Sequence, residues 1–233
     1  MRIILIYITM NERNNILPFI QAMDAFFPIG AYTLSNGMET YVYEEIVTTK
    51  DRLTDFLKNY LNSLSYNELG FAYYAYSGKL DLIYLDALCN ASKSASELRN
   101  GSQKLCKRFL KAELAIGEYQ LLSDYCDKIK KGECSGHLCV ALGLFIRELD
   151  ADVRQSLTLY CYNQISAMVN HAVKLIPLPQ IDGQCALSQV LDLIEETVNK
   201  AMSMSESELG ACGNGFELRS MQHETMYSRL YIS

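Results

Sequence analysis

The sequence 153-VRQSLTLYCYNQISAMVNHAVKL-175, followed by 176-IPLPQIDGQ-184, decides the fold class. Its apolar side chains recur every three or four residues, which is the spacing of one face of an α-helix. They are Val153, Leu157, Cys161, Ile165, Met168, Val169 and Ala172. Asp150 and Asp152 precede the repeat as candidate N-caps, and Pro177 and Pro179 prevent its continuation. The stretch predicts a long helix over 153–175, then an elbow and a further helix.

Helical spacing extends through most of the chain beyond residue 50. A second apolar stripe consists of Leu98, Leu105, Phe109, Ala112, Ile116 and Tyr119. Residues 94–97 (Ser-Ala-Ser-Glu) precede it as a predicted capping box, and Gly78 and Gly132 stand where helices should end. Shorter helices are predicted over 35–47, 51–65, 68–77, 81–92, 137–149 and 184–202. With only four prolines, the chain is predicted to be all-α, a single-domain helical bundle of about eight to ten helices.

Charge and hydropathy exclude several classes of protein. The 233 residues carry a formal net charge of −6, which disfavours binding to the phosphates of nucleic acid. The apolar run 3–8 is too short to span a membrane, and no small-residue cleavage site follows it. We therefore expect a cytoplasmic protein with no membrane contact. Residues 1–16 are predicted to be an N-terminal extension, either docked or dispensable, and residues 17–233 the helical domain.

Few residues in the chain suit catalysis or metal binding. The eight cysteines are scattered through helical segments, where free cysteine acts as a small apolar residue, and we expect reduced thiols. Cys134, His137 and Cys139 have side chains that suit zinc or nickel. The alternative is that His137 starts a helix and Cys139 is buried. No nucleotide-binding, zinc-protease or nucleophile-elbow motif is present, so we expect no enzyme activity and no cofactor.

Three polar stretches remain, at 26–39 (FFPIGAYTLSNGME), 172–184 (AVKLIPLPQIDGQ) and 219–233 (RSMQHETMYSRLYIS). In the first, Glu39 lies one turn inside a predicted helix. In the second, Lys174 complements the helix dipole and Asp182 is placed to cap the next helix. The third retains tyrosine and arginine, which often anchor interfaces, to the end of the chain. The alternatives are a simple elbow and a C-terminal helix docked on the protein's own core.

In this order, the three stretches resemble the motifs of the urease accessory protein UreF family. The N-terminal motif, approximately aFPxGgfshSxGlE, is matched by Phe27-Pro28-Ile29-Gly30, Ser35, Gly37 and Glu39. The central motif, VKLxPLxQxDGQ, is matched by Val173-Lys174-Leu175, Pro177-Leu178, Gln180 and Asp182-Gly183-Gln184. The C-terminal SMxHExxYSRLF-type motif is matched by Ser220-Met221, His223-Glu224 and Tyr227-Ser228-Arg229-Leu230. Weaker agreement includes Glu97-Leu98-Arg99, and the departures are Ala31, Pro179, Ile181 and Cys185.

The resemblance implies a non-catalytic, all-helical, homodimeric maturation factor for the nickel enzyme urease. Such proteins bind UreD (also called UreH) and recruit the GTPase UreG, and the assembly delivers nickel to the urease apoprotein. The resemblance places Tyr162 and the tail around Arg229 at partner surfaces, and Lys174 and Glu39 near the surface that governs coupling to UreG. The partner-binding residues that it implies are Glu39, Tyr162, Lys174, Gln180, Asp182, Gln184, His223, Glu224, Tyr227, Ser228, Arg229 and Leu230.

Two other functions are consistent with the residues themselves. One is a metal-binding chaperone that uses Cys134, His137 and Cys139. The other is a helical scaffold dimer with no role in urease maturation.

Overall fold

A computed structural model describes residues 15–31, 34–211 and 213–231. Most of the predicted N-terminal extension lies outside the described residues, and the first helix begins at Ile16. The buried apolar side chains of the described residues form one core.

The described residues form α-helices connected by short loops, with one 3-10 helix at Glu206–Glu208 and no strand. The all-α prediction is confirmed. The described residues contain twelve α-helices rather than the expected eight to ten, because those at Ile16–Met23, Gln120–Lys130 and Asn214–His223 have no predicted bounds and the helix predicted over 184–202 is divided in two. They are α1 (Ile16–Met23), α2 (Met38–Tyr43), α3 (Lys50–Tyr66), α4 (Glu68–Ser77), α5 (Leu82–Ser92), α6 (Ser96–Ile116), α7 (Gln120–Lys130), α8 (Leu138–Glu148), α9 (Val153–Leu175), α10 (Gln180–Ser188), α11 (Leu193–Ser203) and α12 (Asn214–His223).

The best sequence predictions concern helices with strong start and stop signals. α9 has the predicted bounds, and the Asp152 side chain accepts a hydrogen bond from the Gln155 N–H at 2.7 Å. α4 also has its predicted bounds and ends at Gly78, whose φ of 65° favours glycine. Predicted helix 35–47 is shorter in the structure, where only α2 is helical.

The predicted helix 184–202 is wrong, because the structure has two helices there, α10 and α11. The buried side chains of Leu187, Val190, Ile194 and Val198 keep a spacing of three or four across the break. Hydrophobic periodicity therefore could not reveal it. Asp182 is not the N-cap of α10 either: the helix starts earlier, after Pro179, and Asp182 lies in its first turn.

Two helices organise the core. α8 is apolar on all sides, and every side chain from Leu138 to Ile146 is buried, as expected for a helix at the centre of a bundle. α9 crosses the bundle and contacts α1, α2, α3, α4, α10 and α11. No helix of the described residues is long and apolar enough to cross a membrane.

α8 packs closely on α4 at Gly143. A Cβ atom at this position would lie 2.1 Å from the Ala72 carbonyl oxygen and 2.8 Å from the Ala75 Cβ. The first of these is a backbone atom, which cannot rotate away as a side chain can. Glycine is therefore required here by packing rather than by backbone conformation.

We predict that Gly143→Ala destabilises the protein although alanine is the better helix former. Helix propensity alone would stabilise it by about 1 kcal/mol, but separating α4 from α8 should cost about 1–3 kcal/mol more than that gain. Urea unfolding measures the difference. Gly101→Ala is the matched control, because a Cβ there meets the flexible Leu34 side chain at 3.1 Å. Equal stability of the two variants would contradict the prediction.

Candidate functional site

Three side chains that are distant in sequence meet at a buried histidine. The His223 side chain, at the end of α12, has no exposed surface. Its Nε2 lies 3.0 Å from Glu39 Oε2 on α2, and its Nδ1 lies 2.7 Å from Glu97 Oε2 on α6. The imidazolium form donates from both nitrogens and satisfies both carboxylates. We call Glu39, Glu97, His223 and the tail 224–231 the clasp.

Glu39 also holds the backbone of the tail. The Leu230 N–H donates to Glu39 Oε1 at 2.6 Å, and the Tyr231 N–H donates to Glu39 Oε2 at 3.0 Å. The Tyr231 ring packs edge-on against His171 of α9, with ring centroids 4.6 Å apart. One carboxylate on α2 thus secures the tail, and the tail in turn contacts the last turns of α9.

Glu97 and Glu224 connect the tail to the start of α6. Arg229 Nη1 donates to Glu97 Oε1 at 2.6 Å. Glu224 Oε1 accepts from the Ser96 N–H at 3.1 Å, the Ser96 hydroxyl at 2.7 Å and the Glu97 N–H at 3.3 Å. The Ser96 hydroxyl, with these backbone N–H groups, lowers the pKa of Glu224. Glu217 Oε2 similarly accepts from the Ala95 N–H at 2.6 Å.

The predicted capping box at residues 94–97 is therefore wrong. The N-cap of α6 is Ala95, and no side chain of the segment caps the helix. Carboxylates from α12 and the turn after it supply the acceptors instead, and they also complement the positive end of the α6 dipole. These acceptors come from residues more than 120 positions away, so the local sequence could not indicate them.

A glycine explains how closely α12 approaches the N-terminal polar stretch. Gly37 has a φ of 82°, and a Cβ there would lie 2.9 Å from Ser220 Oγ and 3.3 Å from Ser220 N. Both the left-handed backbone and the close helix favour glycine. Gly37 is thus required for α12 to reach the position in which His223 meets Glu39.

The elbow between α9 and α10 is a second exposed feature. Its close packing depends on Gly183, where a Cβ would lie 2.5 Å from Val173 Cγ2. The side chains of Lys174, Gln180 and Gln184 are exposed, and that of Asp182 is half-buried. As predicted, Lys174 lies in the last turn of α9.

Tyr162 lies on a different part of α9 from the elbow. It is 44% exposed although its neighbour Cys161 is fully buried. Helix geometry places it about 18 Å along the axis and about 120° around it from Lys174. The two residues therefore belong to separate surfaces.

The structure divides the predicted partner-binding residues by burial. Tyr227, Ser228 and Leu230 are exposed on the tail, with Tyr227 and Leu230 at 106% and 65%. Glu39 and His223 are buried, so their side chains contribute to a surface only through the residues they hold. Sequence reasoning left out Glu97, Glu217 and His171. Of these three, only Glu97 could have been found from the sequence, because it belongs to the Glu97-Leu98-Arg99 triplet that weakly agrees with the family.

A cavity of about 120 Å³ is lined by Glu217, Glu68, Lys93, Tyr60 and Tyr160 among others. Lys93 Nζ donates to Glu68 Oε1 at 2.7 Å. Burial alone lowers the pKa of Lys93, but Glu68 and the neighbouring thiols outweigh burial and raise it overall. The cavity wall therefore carries an ion pair whose lysine is buried and whose carboxylate is partly exposed.

The cysteine and histidine cluster at 134–139 does not form a metal site. Asn90 Oδ1 and Ser102 Oγ lie within 3.3 Å of the two ring nitrogens of His137. Burial lowers the pKa of His137 to about 3. Cys139 Sγ instead lies 3.6 Å from Cys89 Sγ. The described residues contain no group of three His, Cys, Asp or Glu side chains that could hold a metal ion.

Comparisons with known proteins agree with these features. The UreF family model matches residues 47–191. The urease accessory protein UreF of Actinobacillus pleuropneumoniae serotype 5b (strain L20) is 32% identical over 220 residues, covering 92% of this chain and 97% of the relative. That of Bacillus sp. (strain TB-90) is 30% identical over 226 residues, covering 94% and 100%. That of Sporosarcina pasteurii is 32% identical over 202 residues, covering 84% and 100%.

We predict that His223→Ala lowers the free energy of unfolding by about 3–5 kcal/mol, because Glu39 and Glu97 each lose the imidazole as a hydrogen-bond partner and the buried ring leaves a cavity. Urea unfolding at neutral pH measures the change. Arg229→Ala is the matched control, since the Arg229 side chain is 39% exposed. It should cost less than about 1 kcal/mol.

Hydrogen exchange measures independently how firmly the clasp holds the tail. Glu39→Gln keeps one acceptor oxygen but loses its charge, so the backbone amides of Leu230 and Tyr231 should exchange about tenfold faster or more. Unchanged exchange at both amides, or equal destabilisation by His223→Ala and Arg229→Ala, would show that Glu39 and His223 do not hold the tail.

Proposed function

The chain belongs to the UreF family of urease accessory proteins, and we propose that it is a non-catalytic adaptor in urease maturation. In this proposal it links UreD (also called UreH) to the GTPase UreG, so that nickel is delivered to the urease apoprotein. It acts as a homodimer in the cytoplasm. The described cysteines are all free thiols, which suits a reducing compartment.

The observation that carries the proposal is the clasp. Glu39 of α2, Glu97 of α6 and His223 of α12 together hold a tail on which Tyr227, Ser228 and Leu230 are exposed. The side chains of Tyr227 and Leu230 are exposed, and they lie next to the hydrogen bonds by which Glu39 and Glu97 hold the tail. Exposed apolar side chains fixed in this way are typical of a docking surface, because little conformational entropy is lost when a partner binds them.

The same geometry supports a non-catalytic role. Catalysis needs a titratable group within reach of a substrate, whereas both nitrogens of the buried His223 face the chain's own carboxylates. The clasp is therefore suited to positioning a surface rather than to proton transfer. We assign partner contact to the exposed tail, to Tyr162 and to the elbow side chains Lys174, Gln180 and Gln184.

The test is co-purification of the full chain with the cognate UreD and UreG. We predict that the double variant Tyr227→Ala/Leu230→Ala binds at least one of them about tenfold more weakly or worse, with the fold intact, because interface anchors are lost while core contacts are kept. The control is Ile83→Ala/Leu191→Ala, which truncates exposed apolar side chains elsewhere. If wild-type protein bound neither UreD nor UreG, the adaptor role would be refuted.

A second prediction concerns Tyr162. Tyr162→Asp should leave the thermal unfolding midpoint nearly unchanged, since the side chain is partly exposed. It should weaken binding of UreD, or recruitment of UreG to that complex, by about tenfold or more, because a carboxylate would be desolvated in the contact. Tyr162→Phe is the control and should bind nearly as wild type. Unchanged affinity of the Asp variant in both steps would remove this face from the proposed interface.

A further inference from the structure

α6 has a basic face that the clasp does not use. Residues 98–112 contain five arginines and lysines and no acidic residue, in a chain whose net charge is −6. Lys104, Lys107, Arg108 and Lys111 are all exposed. At 100° per residue they lie within about 100° of one another around the helix axis. The opposite side of the helix is buried through Leu105, Cys106, Phe109 and Leu110.

This arrangement is unfavourable for the isolated fold. Like charges three and four residues apart on a helix repel, and the four cations make four such pairs. None of the three lysines forms an ion pair with another of the described residues. The folded chain thus keeps a strip of uncompensated positive charge, which an acidic partner surface would neutralise.

A large exposed aromatic side chain lies beside this strip. Phe26 is 95% exposed, and its N–H donates to Asp24 Oδ1 at 2.7 Å. Residues 25–30 and Arg108 line one surface hollow, and Arg108 Nη1 donates to the Ile29 carbonyl at 2.9 Å. Gly30 has a φ of 75°, and a Cβ there would lie 2.8 Å from Arg108 Nη1. The loop that presents Phe26 is therefore held against α6.

We propose that Lys104, Lys107, Arg108, Lys111 and Phe26 form a docking surface for an acidic face of a partner protein. The cations would steer and orient the partner, and Phe26 would enter an apolar socket between its carboxylates. A protein is favoured over nucleic acid because the net charge of the chain repels a polyanion beyond the strip. The inference rests on the proposed function in one respect: the partner is taken to be a component of the urease maturation complex.

The chain's own acidic segment, 192–208, could meet the strip on a second copy. Such a contact joins two different patches, so it is head-to-tail and leads to open polymers unless it closes into a ring. We therefore assign the surface to another protein, and self-association is one outcome of the test.

The test compares the full-length variant Lys104→Gln/Lys107→Gln/Lys111→Gln with wild type. Glutamine is a good helix former and removes the repulsion, so the variant should fold at least as stably. The arginine triple at the same positions keeps the charge. The control triple, Lys50→Gln/Lys58→Gln/Lys79→Gln, removes the same number of positive charges at other places on the protein. Binding rates to purified UreD, UreG and urease apoprotein are measured at about 50 mM and about 500 mM NaCl.

We expect the glutamine triple to associate with one of these proteins about tenfold more slowly at low salt, with the difference largely lost at high salt. The arginine and control triples should behave as wild type, and Phe26→Ala should weaken binding at both salt concentrations. Equal low-salt rates for wild type and the glutamine triple with every partner would overturn this inference alone. This inference alone would also be overturned if the control triple lost as much association rate as the glutamine triple, or if light scattering found only self-association of the protein. Failure of wild type to bind any of the three would overturn both this inference and the proposed function.

Discussion

The surface at the C-terminal end of the chain depends on one buried arrangement, a histidine held between two carboxylates. Removing charges from water is costly, so such a cluster is stable only when every member is satisfied. Here Glu39 accepts two tail N–H groups and Glu97 accepts the Arg229 guanidinium in addition to His223. The exposed side chains of the tail are therefore presented from a network in which each carboxylate has more than one donor.

The helical core makes this network possible without taking part in it. Close packing of α8 on α4 at Gly143 and the many contacts of α9 set where α2, α6 and α12 lie. The clasp then joins these helices through side-chain charge and through carboxylates that cap α6. Its members are separated in sequence by up to 192 residues. The clasp can therefore form only after the intervening helices have packed. The tail is therefore held in this position only when these helices have packed together.

The molecule also presents chemically different surfaces. The tail and α9 offer tyrosines and an apolar side chain, the elbow offers amides and a lysine, and α6 offers cations beside Phe26. Apolar and aromatic contacts contribute most to residence time, whereas exposed charges act mainly on association rate and specificity. The described surfaces therefore offer both kinds of contact.

Local sequence signals specify the all-α class, the bounds of α4 and α9, and the elbow at the prolines. These depend on periodicity, caps and helix breakers, which act within a few residues. Tertiary structure alone decided that α10 and α11 are separate, that Glu224 rather than a local serine caps α6, and that Glu39 and His223 are buried together. The physical reason is range: a hydrogen bond or ion pair between residues more than 100 positions apart leaves no local periodic pattern, because its geometry is set by how the intervening helices pack.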